Sequence, residues 1–217
     1  MTKLSAMTEV STLVTADWTY VVDTSLADGG KASPFAIIDM DTGTYNVVGT
    51  QQIYVPAVGM YPATTSPCGD HVKRELATND VDIYVLPFDG ATDEIAKWDW
   101  YPPENWDAGT VKVKPYWTAV AGAGTVQFDI SGVAISHDGA LDAAFGTLKS
   151  TSVTFTAADD LNVSTLTGAI TIGGTPAKSA WVQMRIVRNG TTDTKTEDVE
   201  LLGVMFQYSI DNAKSVG

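Results

Sequence analysis

Cysteine is almost missing from this chain of 217 residues: Cys68 stands alone, so no internal disulfide can form. That suits folding in a reducing cytoplasm. Basic residues are also scarce, 13 against 26 acidic ones, giving a net charge of −13. They do not cluster: Lys73 with Arg74, and Lys112 with Lys114 on one strand face, are the largest groupings. Such a chain is repelled by phosphate backbones and by anionic lipid surfaces, so no direct nucleic-acid binding and no membrane contact are expected. No apolar run approaches the roughly 18 residues that a spanning helix needs. The opening stretch MTKLSAMTEVSTLVTADW has one lysine and no apolar core before a small-residue cleavage site, so no signal peptide is expected.

Chemistry-bearing residues are equally sparse. His71 and His137 each adjoin an aspartate, Asp70 and Asp138. Neighbours in sequence do not make a catalytic dyad, because the partners must converge in space with a nucleophile. Neither a G-x-S-x-G elbow nor a His-Glu-x-x-His run occurs. Cys68, in SPCGD, has no Cys or His at metal spacing and reads as a part-buried thiol. DMDTGTY begins like a calcium loop at Asp39 and Asp41, but its glycine comes one position early and no glutamate closes it. A hairpin turn is the better reading. Asp159, Asp160, Asp193, Glu197, Asp198 and Glu200 read as solvated loop residues. The expectation is therefore no enzyme, with no catalytic residue, no metal and no cofactor.

What is present points to a β-protein. At 44% hydrophobic and 18% charged, the chain is neither disordered nor membranous in composition, and its length suffices for a sizeable core. VDIYVLPF (81–88) reads as a strand with Val81, Ile83 and Val85 on one face and Pro87 as its stop. TVKVKPYW (110–117) alternates, with Val111, Val113 and Trp117 opposed to Lys112, Lys114 and Tyr116. TVQFDISGVAI (125–135) sets Val126, Phe128 and Ile130 on one face and then shifts phase to Val133 and Ile135. A glycine at such a slip predicts a β-bulge at Gly132. WVQMRIVR (181–188) and LLGVMFQYSI (201–210) complete the set, the latter with Leu202, Val204, Phe206, Tyr208 and Ile210 pointing one way. One segment, HDGALDAAFGTL, predicts a short helix, with Asp138 as N-cap and Gly146 as stop.

The first third differs. WTYVV (18–22) is a strand candidate, FAIIDMDTGTYNVV a hairpin turning at Asp41-Thr42-Gly43, and residues 54–71 an extended, irregular, proline-bearing stretch. This places a boundary near residue 78: residues 1–77 as a docking segment, and 78–217 as an antiparallel jelly roll or β-sandwich of about eight strands.

Trp98, Trp100 and Trp106 are the candidate binding residues, in a stretch that also carries Tyr116 and Trp117. Exposed aromatic faces stack sugars. Yet Trp98 and Trp100 share a face with Asp99 opposed, and Trp117 continues the Val111–Val113 face, which is what core or subunit packing produces. Both readings stand at this point, packing ahead of a glycan platform.

The blocks DVDIYVLPFDGATDE, YPPENWDAGTVKVKPYWTA, VQFDISGVAIS, GALDAAFGT, AADDLNVS, AITIGGTPA and LLGVMFQY resemble uncharacterised virion structural proteins of tailed bacteriophages, over about residues 80–210. The resemblance implies a jelly-roll component of the particle: a head decoration (cement) protein, a head fibre or a tail-associated adhesin. It implies the major capsid protein or other virion proteins as partners, and a homo-oligomer, a trimer being one option. It also implies a place in the virion after assembly in the host cytoplasm. Capsid decoration on the outside of the head shell is the first expectation. A tail or fibre adhesin for host surface glycans is the second.

Overall fold

A computed structural model describes the backbone of residues 36–39 and 44–215, with side chains from Gly49 to Asp211. The WTYVV candidate, Asp41 and the expected hairpin turn lie outside the described residues. In chain order the strands are β1 (Ala36–Asp39), β2 (Thr44–Pro56), β3 (Tyr61–Pro62), β4 (Val72–Leu76), β5 (Val81–Phe88), β6 (Asp93–Trp100) and β7 (Trp106–Thr118). They continue with β8 (Thr125–Ile135), β9 (Lys149–Thr154), β10 (Asn162–Val163), β11 (Gly173–Gly174), β12 (Trp181–Asn189) and β13 (Val199–Ser215). No α-helix occurs among the described residues.

The chain forms two compact units, Gly49–Ile210 and a smaller one gathering Met1–Val48 with Asp211–Gly217. In the smaller unit β1 pairs antiparallel with the start of β2, from Ala36 opposite Val47 to Asp39 opposite Thr44.

The larger unit is an antiparallel β-sandwich. In one sheet β13 is central, bonded to β2, β5 and β7, with β4 beyond β5 and β10 beyond β7. The other runs β3-β6-β12-β8, with β9 and the parallel β11 on the far side of β8. Period-two alternation sends Val111, Val113 and Trp117 of β7 inward while Lys112 faces solvent, as the pattern of that strand required. Facing them from the second sheet are Val126, Phe128 and Ile130 of β8 and Val182, Met184 and Ile186 of β12, all 0% exposed. Phe88 and Phe128 meet edge to face across the sandwich at 6.0 Å. Each large apolar side chain so buried stabilises the fold by about 1.5–3 kcal/mol.

Several expectations are corrected. On β5 Leu86 and Phe88 enter the main core cluster, Val85 is wholly buried on the other face, and the strand runs through Pro87 instead of stopping there. Both faces of VDIYVLPF are apolar at its C-terminal end, so the pattern left the phase undetermined. In β8 there is no bulge: the pairing with β12 runs without a slip from Ile135–Trp181 to Phe128–Arg188. Gly132 stays in phase with Val126, Phe128 and Ile130, and a Cβ there would overlap the Met184 sulfur, so the glycine makes room for Met184. Val133 and Ile135 are buried on the outer face instead. The register slip lies in β13, between Leu201 and Gly203, with another between Tyr208 and Ile210. It moves the inward positions from Leu201 to Val204 and leaves Leu202 partly exposed.

The predicted helix over 137–148 is absent. Asp138 sits at φ +63° in a turn, Leu141 is 76% exposed, and Gly146 donates its backbone N–H to the Gly132 carbonyl at 2.9 Å. Anchoring to β8 outcompeted the helical spacing.

The boundary at residue 78 is also corrected, since it falls in the turn between β4 and β5, inside the sandwich. Residues 49–77 belong to that sandwich. Ala57, Met60 and Cys68 lie in its core, and the edge of β6 is bonded to Ala63, Ser66 and Cys68 through Ile95.

Candidate binding face and buried charge network

The end of the sandwich near the β12–β13 connection is held by charges. Arg188 continues the inward row Val182, Met184, Ile186, so a cation is carried into the interior, 0% exposed. Its Nε donates to Asp193 Oδ2 at 2.9 Å, and its Nη groups donate to the carbonyls of Phe88, Glu197 and Lys195 at 3.1, 2.9 and 2.5 Å. Four of its five N–H donors thereby regain partners that burial took from water. Lys195, also 0% exposed, donates to the Ala121 carbonyl at 2.5 Å and to Glu197 Oε2 at 3.2 Å, with its ammonium 4.6 Å from the Phe155 ring. The Lys195 hydrogen bond holds the Glu197 carboxyl below its usual range. Arg74 bridges Glu200 and Asp159, each at 2.6 Å, and Asp198 accepts from the Gly90 N–H at 3.1 Å. Of the acidic residues expected to be solvated, Asp159, Asp160, Glu197 and Asp198 are exposed, whereas Asp193 is enclosed against Arg188 and Glu200 is half-buried against Arg74.

The three candidate tryptophans are interior. Trp98, Trp100 and Trp106 are 1%, 6% and 0% exposed. Trp100 lies at 5.0 Å from Trp106, edge to face, at 4.6 Å from Phe206 and at 5.3 Å from Tyr208. None of these rings offers a face to solvent. The indole N–H groups of Trp98, Trp106 and Trp117 are buried without a hydrogen-bond partner.

Inward Trp98 and Trp100 require outward Lys97 and Asp99. Pairing sets Asp99 beside Gln183 and Lys97 beside Arg185, Arg185 beside Ser131, and Tyr61 of β3 beside Lys97. Tyr61 donates its hydroxyl to Asp99 Oδ1 at 3.1 Å and accepts from Gln183 Nε2 at 2.9 Å. Burial first, then Asp99, pushes the Tyr61 phenol up. Arg185 donates Nε to Ser131 Oγ at 2.8 Å, with its guanidinium carbon 4.4 Å from the centroid of the Phe145 ring. This outer face of the second sheet combines rings, amide, carboxylate and cations, with Tyr61 and Asp99 exposed and Lys97, Gln183, Arg185 and Phe145 half-buried. Its members come from five separate segments. The readable signal was the alternation of Lys97 and Asp99 with the tryptophans.

Elsewhere the chemistry is quiet. Burial pushes the Cys68 thiol up to about 12, and the residue is 4% exposed. His71 and His137 are exposed, His71 Nε2 lying 2.9 Å from the Ala57 carbonyl. No cluster of metal-ligating side chains occurs among the described residues. Depressions of about 130 and 160 Å³, the first lined by Thr110 and Lys112 and the second by Ile135 and Ala140, are below the roughly 300 Å³ of an ordinary small-molecule pocket.

No protein-family model and no curated protein matches the chain. Among solved structures, it is similar to an isomalto-dextranase of Arthrobacter globiformis complexed with panose, at 15% identity and a TM-score of 0.42. That match covers 73% of this chain but only 23% of the dextranase chain. It is similar to the C-terminal family 22 carbohydrate-binding module of Clostridium thermocellum Xyn10B at 12% identity and a TM-score of 0.40, covering 76% of this chain and 94% of that one. A non-crystalline-cellulose-specific module of family 28 matches at 13% identity and a TM-score of 0.38, over 73% and 89% of the two chains.

Proposed function

We propose that this chain is a non-catalytic structural protein of a tailed-bacteriophage particle, a capsid decoration protein bound to the outside of the head shell. In this reading the small unit attaches and the sandwich faces outward. The observation that carries it is the division of the chain, which leaves Gly49–Ile210 as an uninterrupted compact module apart from a smaller unit. The sequence blocks resembling tailed-phage virion proteins support the same reading. So does the net charge of −13, which keeps densely displayed copies soluble and away from packaged genome. The partners would be the major capsid protein or other virion proteins, with the chain itself a homo-oligomer, in a virion assembled in the host cytoplasm.

The test is particle stoichiometry and add-back. Quantitative mass spectrometry of purified virions should find the protein at a copy number comparable to the shell subunit. Particles lacking it should take up the full chain but not residues 49–210. A copy number that is a small fraction of the shell subunit moves the protein to the tail or a vertex, and absence from virions removes the reading altogether.

A second reading, a tail or fibre adhesin for host surface glycans, is favoured by one observation: the open face bearing Tyr61, Asp99, Gln183 and Arg185. Trp98, Trp100 and Trp106 are enclosed and supply no platform, so this reading places binding on that face.

A further inference from the structure

Lys97 and Arg185 stand directly opposite each other on β6 and β12. Like charges opposed on neighbouring strands repel. Among the described residues neither Lys97 nor Arg185 forms an ion pair, as is true also of Lys112, Lys114, Lys149 and Lys178, but only these two stand opposite each other on paired strands. This happens in a chain with 26 acidic and only 13 basic residues, where a partner would be easy to supply. Burial pushes the Arg185 guanidinium below its usual range, a cost that no carboxylate offsets.

The guanidinium is nevertheless fixed. Ser131 holds its Nε and the Phe145 ring lies against its face, while Lys97 Nζ approaches the same ring at 5.7 Å. Among the described residues the two Nη groups have no hydrogen-bond partner. A guanidinium pinned at Nε with its terminal fork open is shaped for an external carboxylate, and Lys97 adds a second cation beside it.

The surroundings narrow the ligand. Asp99 has one oxygen on the Tyr61 hydroxyl and its other oxygen open, an acceptor for ligand hydroxyls. The Gln183 amide donates to Tyr61 and keeps its carbonyl oxygen available. Just past the end of β6, Tyr101 is 72% exposed. Acceptors for hydroxyls beside a free ring complement a polyol with apolar faces.

We propose that the outer face of the second sheet binds an acidic saccharide, its carboxylate held by Lys97 and Arg185 and its hydroxyls by Asp99 and Gln183. This gives a ligand class to the adhesin reading and rests on the face rather than on any station on the particle. Failure of add-back to virions would leave it standing, and failure of sugar binding would leave the virion role standing.

The experiment uses the full chain on an array of carboxylated oligosaccharides paired with carboxyl-reduced, neutral counterparts. Calorimetry then follows on the best pair, with inorganic phosphate and acetate as competitors. Binding should favour the acidic member and weaken with salt. It should fall about tenfold in Arg185→Gln, which removes a charged hydrogen-bonding partner. Lys97→Glu should abolish binding while raising the melting temperature, because it replaces repulsion with an internal ion pair to Arg185. Equal binding of the neutral counterparts, or no acidic glycan bound at all, overturns the proposal. Competition by phosphate or acetate as strong as by the sugar overturns its saccharide part. A melting temperature that falls in Lys97→Glu overturns the premise of uncompensated charge.

Discussion

Arg188 and Asp193 meet at 2.9 Å with side chains 0% and 1% exposed, and this pair fixes the β12–β13 connection to the end of the core. Taking two charges out of water is expensive, so breaking such a pair by removing one member is costly. Arg188→Met should destabilise by about 3–5 kcal/mol, since it strands the Asp193 carboxylate and frees three carbonyls from their donor. Urea unfolding of Arg188→Met and of the double change with Asp193→Leu would separate the charge effect from simple loss of packing. The double variant should recover part of the loss. If the single variant is neutral, the network does not hold the loop.

The Trp106 indole is wholly enclosed, and its N–H has no partner. Trp106→Ala should therefore cost about 3–5 kcal/mol through the cavity it leaves. Trp106→Phe should cost far less, because the smaller ring also removes an unpaired donor that costs about 1–3 kcal/mol to bury. Thermal melts of the two variants decide it. A Phe variant as damaged as the Ala variant would mean that the N–H is satisfied by a buried water.

The sequence carried some of this plainly. Val111, Val113 and Trp117 alternate with charged and polar neighbours, so their strand, its phase and its burial could all be read. Arg188 could not be, because an arginine on an apolar row looks like the end of a core face rather than its charged plug. Three of its four partners are carbonyls, which no side-chain pattern encodes. Gly132 was misread because a glycine vacating space for Met184 and a glycine relaxing a bulge leave the same mark. The open face was out of reach for a different reason: Tyr61 is 38 residues from Asp99 and 122 from Gln183, so only strand order joins them.

The true slip in β13 gives a sharper test of backbone strain. Gly203 has φ +153°, and a Cβ there would meet the Val55 carbonyl and the Tyr54 ring. Gly203→Ala should cost about 1–3 kcal/mol, the range for a residue forced into a sparsely populated conformation. Gly132→Ala meets the flexible Met184 side chain instead and should cost less. Equal losses at the two sites would show that the Val55 carbonyl yields as readily as a methionine.

Cys68 makes a pH prediction. The folded thiol keeps its proton up to about 12, against an ordinary value of 9.0, chiefly because it is buried. Between those values the unfolded chain binds fewer protons than the folded one, so stability falls with rising pH. The contribution is whole below 9.0 and lost as pH rises through about 12. Denaturant midpoints should decline over that window more steeply in the native protein than in Cys68→Ala. A disulfide-exchange reagent at mildly alkaline pH should label the thiol only after denaturant is added. Rapid labelling of the folded chain would show that Cys68 is accessible and that the stability argument fails with it.

The last prediction concerns where the chain can be cut. A start at residue 78 removes β3 and β4 and the described length of β2. It strips Ala57, Met60 and Cys68 from the core and leaves the Ile95 backbone without its partners at Ala63, Ser66 and Cys68. It also deprives Leu202 of the Tyr54 hydroxyl at its carbonyl and takes Arg74 away from Glu200. Buried backbone groups left unpaired cost about 1–3 kcal/mol each, so these losses together rival the whole stability of a domain. Residues 78–217 should accordingly be poorly soluble or unfold without a cooperative transition. Residues 49–210 should melt cooperatively with a β-sheet circular dichroism spectrum, because that span is compact by itself. If the shorter chain melts as sharply and at the same temperature as the longer one, residues 49–77 are a dispensable attachment, and the sandwich begins where the sequence pattern alone would have placed it.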